Sequence, residues 1–200
     1  IDNDGSYDLE IVNMLNSLHP IYQRVQDGGG LPLHAALLEL DEKGILLAAP
    51  GDTGKSTSCR RLPDYWNPLC DDEALVVFDH ENRYRAHPFP TWSEYLWKSS
   101  DKTWNVQHSV PLHAIFFLEQ AESNEVFPLG EGKAAVSINQ SATEVSRRLR
   151  RKLDDQTKRP LAKLQFDNAC NMAKSIPSFT LRASLHGRFW EEMEKTLATL

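Results

Sequence analysis

The chain has 200 residues, of which 40% are hydrophobic and 25% are charged, and its formal net charge is −6. A chain of this length usually buries one hydrophobic core, so we expect residues 1–200 to form a single domain. The acidic balance argues against a nucleic-acid partner, because binding to a phosphate backbone needs a basic face. No apolar segment approaches the roughly 20 residues that span a bilayer, so we expect no membrane partner and a cytoplasmic location.

The three cysteines, Cys59, Cys70 and Cys170, are widely spaced and odd in number. This pattern predicts reduced thiols rather than a disulfide framework or a CxxC metal site. The chain begins at Ile1 without an initiator methionine, so we expect a preceding segment whose function lies outside this sequence.

In chain order, residues 7–25 are predicted to form a helix, because apolar residues recur there about once per helical turn. The glycine run 28–30 ends it. Two apolar segments, LPLHAALLEL and ILLAAP, flank the polar turn 41–44 and predict a β-hairpin. The second strand leads directly into PGDTGKST, and residues 57–62 favour a helix.

The segment LCDDEALVVFD, residues 69–79, predicts the edge of a strand with two adjacent carboxylates. Further strand is predicted directly after them. Residues 84–104 are rich in aromatic residues and proline, which indicates an ordered loop. The patterns that follow predict a strand at 111–118, a turn region at 122–133, helices at 141–155 and 161–174, a strand at 179–185 and an amphipathic helix at 187–200.

Residues 49–56, APGDTGKS, match the phosphate-loop pattern with alanine in place of its first glycine. Glycines let the backbone turn so that N–H groups face phosphate oxygens, and the following helix adds its positive dipole end. The position between a strand and a helix favours this interpretation over a chance match. Lys55 would reach the β- and γ-phosphates, and the Ser56 hydroxyl would ligate Mg²⁺. The predicted nucleotide-binding residues are Gly51, Asp52, Thr53, Gly54, Lys55, Ser56 and Thr57.

Asp71 and Asp72 follow this loop at the end of a short apolar approach. Two carboxylates at a strand end could hold Mg²⁺ and accept a proton from an attacking hydroxyl, as phosphoryl transfer requires. Neighbouring side chains on an extended strand point to opposite faces, so we expect one to face the nucleotide and the other a second partner. An acidic surface turn is the alternative for an isolated pair.

The ordered combination of LHAALL with its His34, the hairpin, PGDTGKS and LCDD resembles the core of the HPr kinase/phosphatases, and phosphoenolpyruvate carboxykinase has a similar core. The match covers about residues 31–77, with weaker similarity in the order of strands and helices as far as residue 200. It implies an α/β fold with a P-loop-containing mixed sheet, as in the C-terminal domain of HPr kinase. It also implies ATP and Mg²⁺ as cofactors and phosphate transfer to a serine hydroxyl of a protein or peptide, and a homo-oligomer is compatible with it.

By position, the resemblance implies that Asp71 is the general base, that Asp72 binds the metal directly or contacts one of its ligands, and that His34 neighbours the acidic pair. The N-terminal domain of bacterial HPr kinases is absent or truncated in this sequence, so HPr itself is not the expected substrate. The chain is also similar to HPr-kinase-like proteins that occur beside peptide-modification enzymes in natural-product gene cassettes. A non-catalytic, nucleotide- or peptide-binding accessory protein of such a cassette therefore stays open as the alternative, as does a small-molecule kinase.

Arg85 follows the acidic pair and is a candidate cation beside the transferring phosphoryl group, although a packed loop would also explain it. The basic run 147–152 could bind an acidic leader peptide, but such a run is more often a solvated helix face. His108, His113 and His186 show no metal-ligand spacing and are interpreted as structural.

Overall fold

The computed structural model describes residues 17–51, 53–89, 105–151 and 153–200. Within these ranges the chain forms five helices and nine strands. In chain order they are α1 His19–Asp27, β1 Leu31–Leu33, β2 Ala35–Leu40, β3 Lys43–Ala48, α2 Lys55–Arg61, β4 Asn67–Cys70, β5 Ala74–Phe78, β6 Tyr84–Pro88, β7 Val110–Gln120, β8 Glu125–Pro128, α3 Glu131–Arg150, α4 Asp155–Ser175, β9 Ser178–Ala183 and α5 Phe189–Leu197. None of the helices in these ranges is long and apolar enough to cross a bilayer.

The strands are hydrogen-bonded in one mixed sheet of order β1-β5-β6-β7-β3-β2-β4, with β9 paired to β7 and β8 paired to β9. Strand β7 runs parallel to β3 and to β9, and the other pairs are antiparallel. The first residues of β7 pair with β6, whereas its later residues pair with β3 and β9. The predicted mixed α/β architecture is therefore confirmed.

Two apolar layers cover the two faces of the central strands. Successive strand residues face opposite sides, so Leu37 belongs to the layer under α3 and α4, and Leu38 belongs to the layer under α2 and α5. Ile138 and Met172 close the first layer, and Phe189 is fully buried in the second. Burial on both faces explains why the strands around the hairpin are nearly continuous apolar runs.

The predicted hairpin is present, with β2 and β3 paired antiparallel from Ala35 opposite Ala48 to Leu40 opposite Lys43. Its turn consists of Asp41 and Glu42, whose φ angles are 49° and 61°. Two positive φ angles are what a tight two-residue turn needs to match the twist of the flanking strands. The turn is thus shorter than the predicted segment 41–44.

The chain changes strand partners at two neighbouring corners. At His34 it passes from β1, which pairs with β5, to β2, which pairs with β4. Between β4 and β5 it makes the matching change in the opposite direction. Leu33 lies opposite Ala74 on one side of these corners, and Leu37 lies opposite Cys70 on the other. The register therefore places His34 next to the residues that join β4 to β5.

The predicted turn region 122–133 was wrong, because it contains β8 and the start of α3. Glycine generally favours turns, but Gly132 lies within the first turn of the helix. Helix α3 consequently begins at Glu131, well before the predicted start at Ser141. The helix predicted from residue 161 likewise begins earlier, at Asp155, where the Asp154 side chain accepts a hydrogen bond from the Thr157 N–H.

The loop predicted for residues 84–104 is also corrected at its start, since Tyr84–Pro88 pairs with β5 as a strand. Residues 90–104 lie outside the described residues. The same is true of residues 7–16 of the first predicted helix, whose described part continues to Asp27.

Candidate functional site

The loop between β3 and α2 leads into the helix at Lys55, the first residue of α2. Gly54 has a φ of 107°, in the left-handed region that favours glycine. The Thr53 N–H donates to the Pro50 carbonyl at 3.4 Å, which closes the loop on itself. A Cβ atom placed on Gly51 or Gly54 would meet no atom within 4 Å, so these positions face open space.

Lys55 is buried, with 6% of its surface exposed. Its Nζ lies 2.7 Å from His34 Nε2 and donates to the Ala49 carbonyl at 2.8 Å. Burial lowers the pKa of Lys55, and the negative charges of Asp72 and Glu144 act in the opposite direction. The predicted phosphate-binding lysine is therefore held inside the protein, among acceptors from the loop and the β1–β2 corner.

His34 connects Lys55 to a carboxylate. Its Nδ1 lies 3.3 Å from Asp72 Oδ1, and its Nε2 lies 3.7 Å from Glu144 Oε2. Burial lowers the pKa of His34, and the charge of Lys55 lowers it further against the opposing effect of Glu144. A neutral ring satisfies both contacts when Nδ1–H donates to Asp72 and Nε2 accepts from the Lys55 ammonium.

Asp71 and Asp72 have different surroundings. Asp72 contacts His34, whereas Asp71 is 7% exposed and its Oδ1 has no hydrogen-bond partner among the described residues. Burial raises the pKa of the Cys59 thiol to about 12, and the nearby charge of Asp71 contributes in the same direction. Asp71 therefore lies inside the protein beside α2. Cys59, like the other two cysteines, is a free thiol.

Helix α3 supports the histidine corner through its backbone and side chains. The His34 N–H donates to the Ser141 carbonyl at 3.3 Å, and the Ser141 hydroxyl donates to the His34 carbonyl at 3.1 Å. Glu144 lies one helical turn further along and approaches the imidazole. These two residues were not predicted as site residues, because polar positions on a helix are typical of its solvent-exposed face.

Glu73 anchors the acidic corner, which is the β4–β5 connection that carries Asp71 and Asp72. Its carbonyl accepts from the Cys70 thiol and from the Phe89 N–H, both at 3.0 Å. Its carboxylate accepts from the Tyr22 hydroxyl at 2.8 Å. Burial raises the pKa of Tyr22, and Glu73 raises it further, so the phenol remains a donor. Glu73 adjoins the predicted pair in sequence, but the partner on α1 gave no recognisable signal.

Other predicted site residues lie on α2 and on β6. Ser56 is half-buried and Thr57 is exposed on the first turn of α2, while Asp52 lies outside the described residues. Arg85 pairs with Val77 on β5, and its guanidinium donates to the hydroxyl and carbonyl of Ser109 at 3.0 and 2.7 Å. The structure therefore does not bring Arg85 to Lys55, since its register position lies further along β5 than the acidic corner.

Two cavities flank the loop at the ends of the parallel strands, where α/β sheets commonly bind ligands. One, of about 360 Å³, is lined by Thr53, Gly54, Thr57, Ser58, Arg61, Leu118, Gln120, Ala121, Ala183, Ser184 and Leu185. The other, of about 420 Å³, lies on the α3 side and is lined by Ala48, Ala49, Pro50, Thr53, Phe117, Leu118, Glu119, Gln120, Ser137, Gln140, Ser141 and Glu144. Gln120 lies between them and donates to the Thr53 carbonyl at 3.1 Å.

No group of three or more His, Cys, Asp or Glu side chains within the described ranges is arranged to hold a metal ion. Mg²⁺ usually keeps several waters and binds through one or two carboxylates together with substrate phosphates. A predicted magnesium site at Ser56 and Asp72 needs no such group, and it stays a prediction.

Fold and site define an α/β protein with a mixed sheet, in which a strand–loop–helix segment carries a buried lysine next to a histidine and two carboxylates. The family model described as "SynChlorMet cassette protein ScmC" matches residues 1–198. The chain belongs to this family. No curated protein matches it. Among solved structures it is similar to the Hpr(Ser) kinase/phosphatase from Coxiella burnetii, at 13% identity and a TM-score of 0.41, over 84% of this chain and 93% of that one.

Proposed function

We propose that this protein is a Mg-ATP-dependent kinase that transfers the γ-phosphate to a serine hydroxyl of a protein or peptide. The observation that carries the proposal is the buried Asp71 Oδ1, which has no hydrogen-bond partner among the described residues and lies beside the cluster of Lys55, His34 and Asp72. A buried acceptor without a donor costs about 1–3 kcal/mol. Such an atom next to a candidate phosphate loop suits a donor that arrives with a substrate.

The loop residues fit a nucleotide phosphate. Open space above Gly51 and Gly54 leaves room for an anion close to the backbone, and Lys55 supplies the positive charge. Thr53, Gly54 and Thr57 line the 360 Å³ cavity and would hold the nucleotide there. These residues belong to the set predicted from the sequence.

The charge of the cluster supports a divalent cation. Among the described residues, the carboxylates of Asp71, Asp72 and Glu144 act on the ammonium of Lys55, and a triphosphate would add further negative charge. Ser56 and Asp72 would hold Mg²⁺, which when bound neutralises charge on the transferring phosphoryl group. The proposal assigns no role to Arg85, because its guanidinium is engaged by Ser109.

In the proposed transfer, Asp71 Oδ1 accepts the proton of the serine hydroxyl as that oxygen bonds to the γ-phosphorus and the bond to the leaving nucleoside diphosphate breaks. Neutral His34 accepts from Lys55 and donates to Asp72, and thereby positions both charged groups. His34 is in this respect a positioning residue.

Two substitutions test the assignment through separate readouts. Lys55→Ala should weaken ATP binding, measured by calorimetry, by at least about tenfold, because it removes a charge-assisted contact. Asp71→Asn should keep ATP affinity within about twofold but lower phosphate transfer to serine peptides by roughly 100-fold or more, because the base is lost.

Exposed residues of the same type provide matched controls. Lys163 is 79% exposed and Asp155 is 86% exposed, and both lie on α4 and line neither cavity beside the loop. Lys163→Ala and Asp155→Asn should leave binding and transfer unchanged. Undiminished transfer by the Asp71→Asn protein would move the base elsewhere, and normal ATP binding by Lys55→Ala would remove the loop from the proposal.

A second candidate is a non-catalytic accessory protein of a peptide-modification cassette, which binds nucleotide or peptide. It is favoured by the family description, which names a cassette protein, and by the hydrogen bonds that already engage the Lys55 ammonium. ATP binding by the wild-type protein without transfer to any serine peptide would favour this candidate over the kinase.

A further inference from the structure

Helix α3 carries a polar stripe that the proposed transfer step does not use. Ser137, Gln140, Ser141 and Glu144 recur at the spacing that places side chains on one face of a helix. All four line the 420 Å³ cavity beside β7. A stripe that faces a sheet is ordinarily apolar, and α3 has such a stripe in neighbouring positions, where Ile138 is fully buried. The polar stripe therefore borders a cavity rather than the core.

The cavity is acidic. Glu119 and Glu144 line it, and no lysine or arginine is among its described lining residues. Arg182 approaches Glu119 at 3.6 Å, whereas Glu144 lies 3.7 Å from His34 Nε2 and its charge also acts on the buried Lys55. The Glu144 side chain is 42% exposed, so its carboxylate is accessible to a cation from outside the protein.

The cavity also adjoins the Lys55 cluster. Ser141 bonds the His34 carbonyl, and Glu144 approaches His34 Nε2, to which Lys55 bonds. On its other side, the end of β7 contributes the apolar surfaces of Phe117 and Leu118. A segment of extended peptide would find apolar contact there, with side-chain hydrogen-bond partners on α3.

We propose that this cavity binds the acceptor peptide and selects a positively charged residue next to its target serine. Glu144 would pair with the cation, and Ser137 and Gln140 would bond the peptide backbone. The inference rests on the proposed function for the role of the serine as acceptor, while its charge preference concerns binding alone.

The test compares two fluorescein-labelled peptides that differ only in having lysine or glutamate on both sides of one serine. Fluorescence anisotropy reports binding to the whole chain, and incubation with labelled ATP reports transfer. Wild-type protein should bind the lysine peptide at least roughly fivefold more tightly, as expected for one or two charge pairs near a protein surface. Gln140→Lys places a positive charge at the cavity and should reduce this ratio to about one.

Gln156→Lys is the matched control, since it adds the same charge at an exposed position of α4 that does not line the cavity. It should leave the ratio near the wild-type value. Equal binding of both peptides by the wild type, an unchanged ratio in Gln140→Lys, or an equal reduction in Gln156→Lys would overturn the inference. Preserved selectivity without transfer would support this binding site and reject the kinase proposal.

Discussion

Replacing His34 with alanine removes the middle member of the chain of contacts from Lys55 to Asp72. The ring nitrogens lie 2.7 Å from Lys55 Nζ and 3.3 Å from Asp72 Oδ1. Hydrogen bonds to charged groups contribute about 1.5–3 kcal/mol each, and the longer contact belongs at the low end of that range. Lys55 keeps its bond to the Ala49 carbonyl. We therefore expect the free energy of unfolding to fall by about 3–4.5 kcal/mol.

Urea unfolding at pH 7.5 would measure this loss through tryptophan fluorescence, for which Trp66, 3% exposed, is a suitable reporter. His80→Ala is the matched control, because His80 is 90% exposed and lies 3.8 Å from an exposed Glu81. Its loss should stay within about 0.5 kcal/mol. Equal effects of the two substitutions would refute the reasoning.

The contribution of His34 should also depend on pH. Its pKa is lowered below the ordinary value by burial and by Lys55, so the folded protein holds the ring neutral. As pH falls through the ordinary value, the unfolded chain takes up a proton that the folded chain does not. The difference in stability between wild type and His34→Ala should therefore be largest above about pH 6.5 and shrink on acidification, by at most about 1.4 kcal/mol per pH unit. A difference that grows on acidification would show that the folded protein favours the charged ring.

Three further substitutions test the surroundings of the site and the glycine positions. Tyr22→Phe removes the hydroxyl that donates to Glu73 and should lower the free energy of unfolding by about 1.5–3 kcal/mol in urea titrations; a loss below 0.5 kcal/mol would leave the anchor unsupported. Gly30→Ala should lower it by about 1–3 kcal/mol, because the new Cβ would overlap the Val76 carbonyl oxygen. Gly132 lies in a helix, and a Cβ added there would meet nothing within 4 Å. Gly132→Ala should therefore raise the free energy of unfolding by about 0.5–1 kcal/mol. In thermal unfolding, Gly30→Ala should lower the midpoint and Gly132→Ala should raise it.

Local patterns were sufficient for the hairpin and for the strand–loop–helix segment that follows it. A polar turn between two apolar runs and a glycine-bearing loop before Lys55 are signals that neighbouring residues produce by themselves. The contact between His34 and Asp72 is different. The two residues are 38 positions apart in the sequence, and no local pattern shows that they come together. It was expected from family resemblance, and the strand register provides its physical cause.

Other features could not be predicted because local signals conflicted with tertiary structure. Glycine at positions 130 and 132 is unfavourable for a helix, yet packing of Ala134 and Ile138 against the sheet stabilises the helix from Glu131. Strand β8 is short and largely exposed, so its sequence lacked the apolar alternation of a strand. Arg85 was placed near the site by sequence proximity alone, whereas strand pairing directs it to Ser109.

The two corners also determine how substitutions at this site should be interpreted. The burial of the Lys55 ammonium and the Asp71 oxygen without a donor both oppose folding, so some other part of the molecule must hold them in place. Strand pairs β1–β5 and β2–β4 do so through backbone hydrogen bonds on either side of the corners, independently of the corner side chains. Asp71→Asn should consequently leave the strand register intact, and a loss of phosphate transfer in that protein would report the chemistry of one oxygen rather than a rearranged sheet.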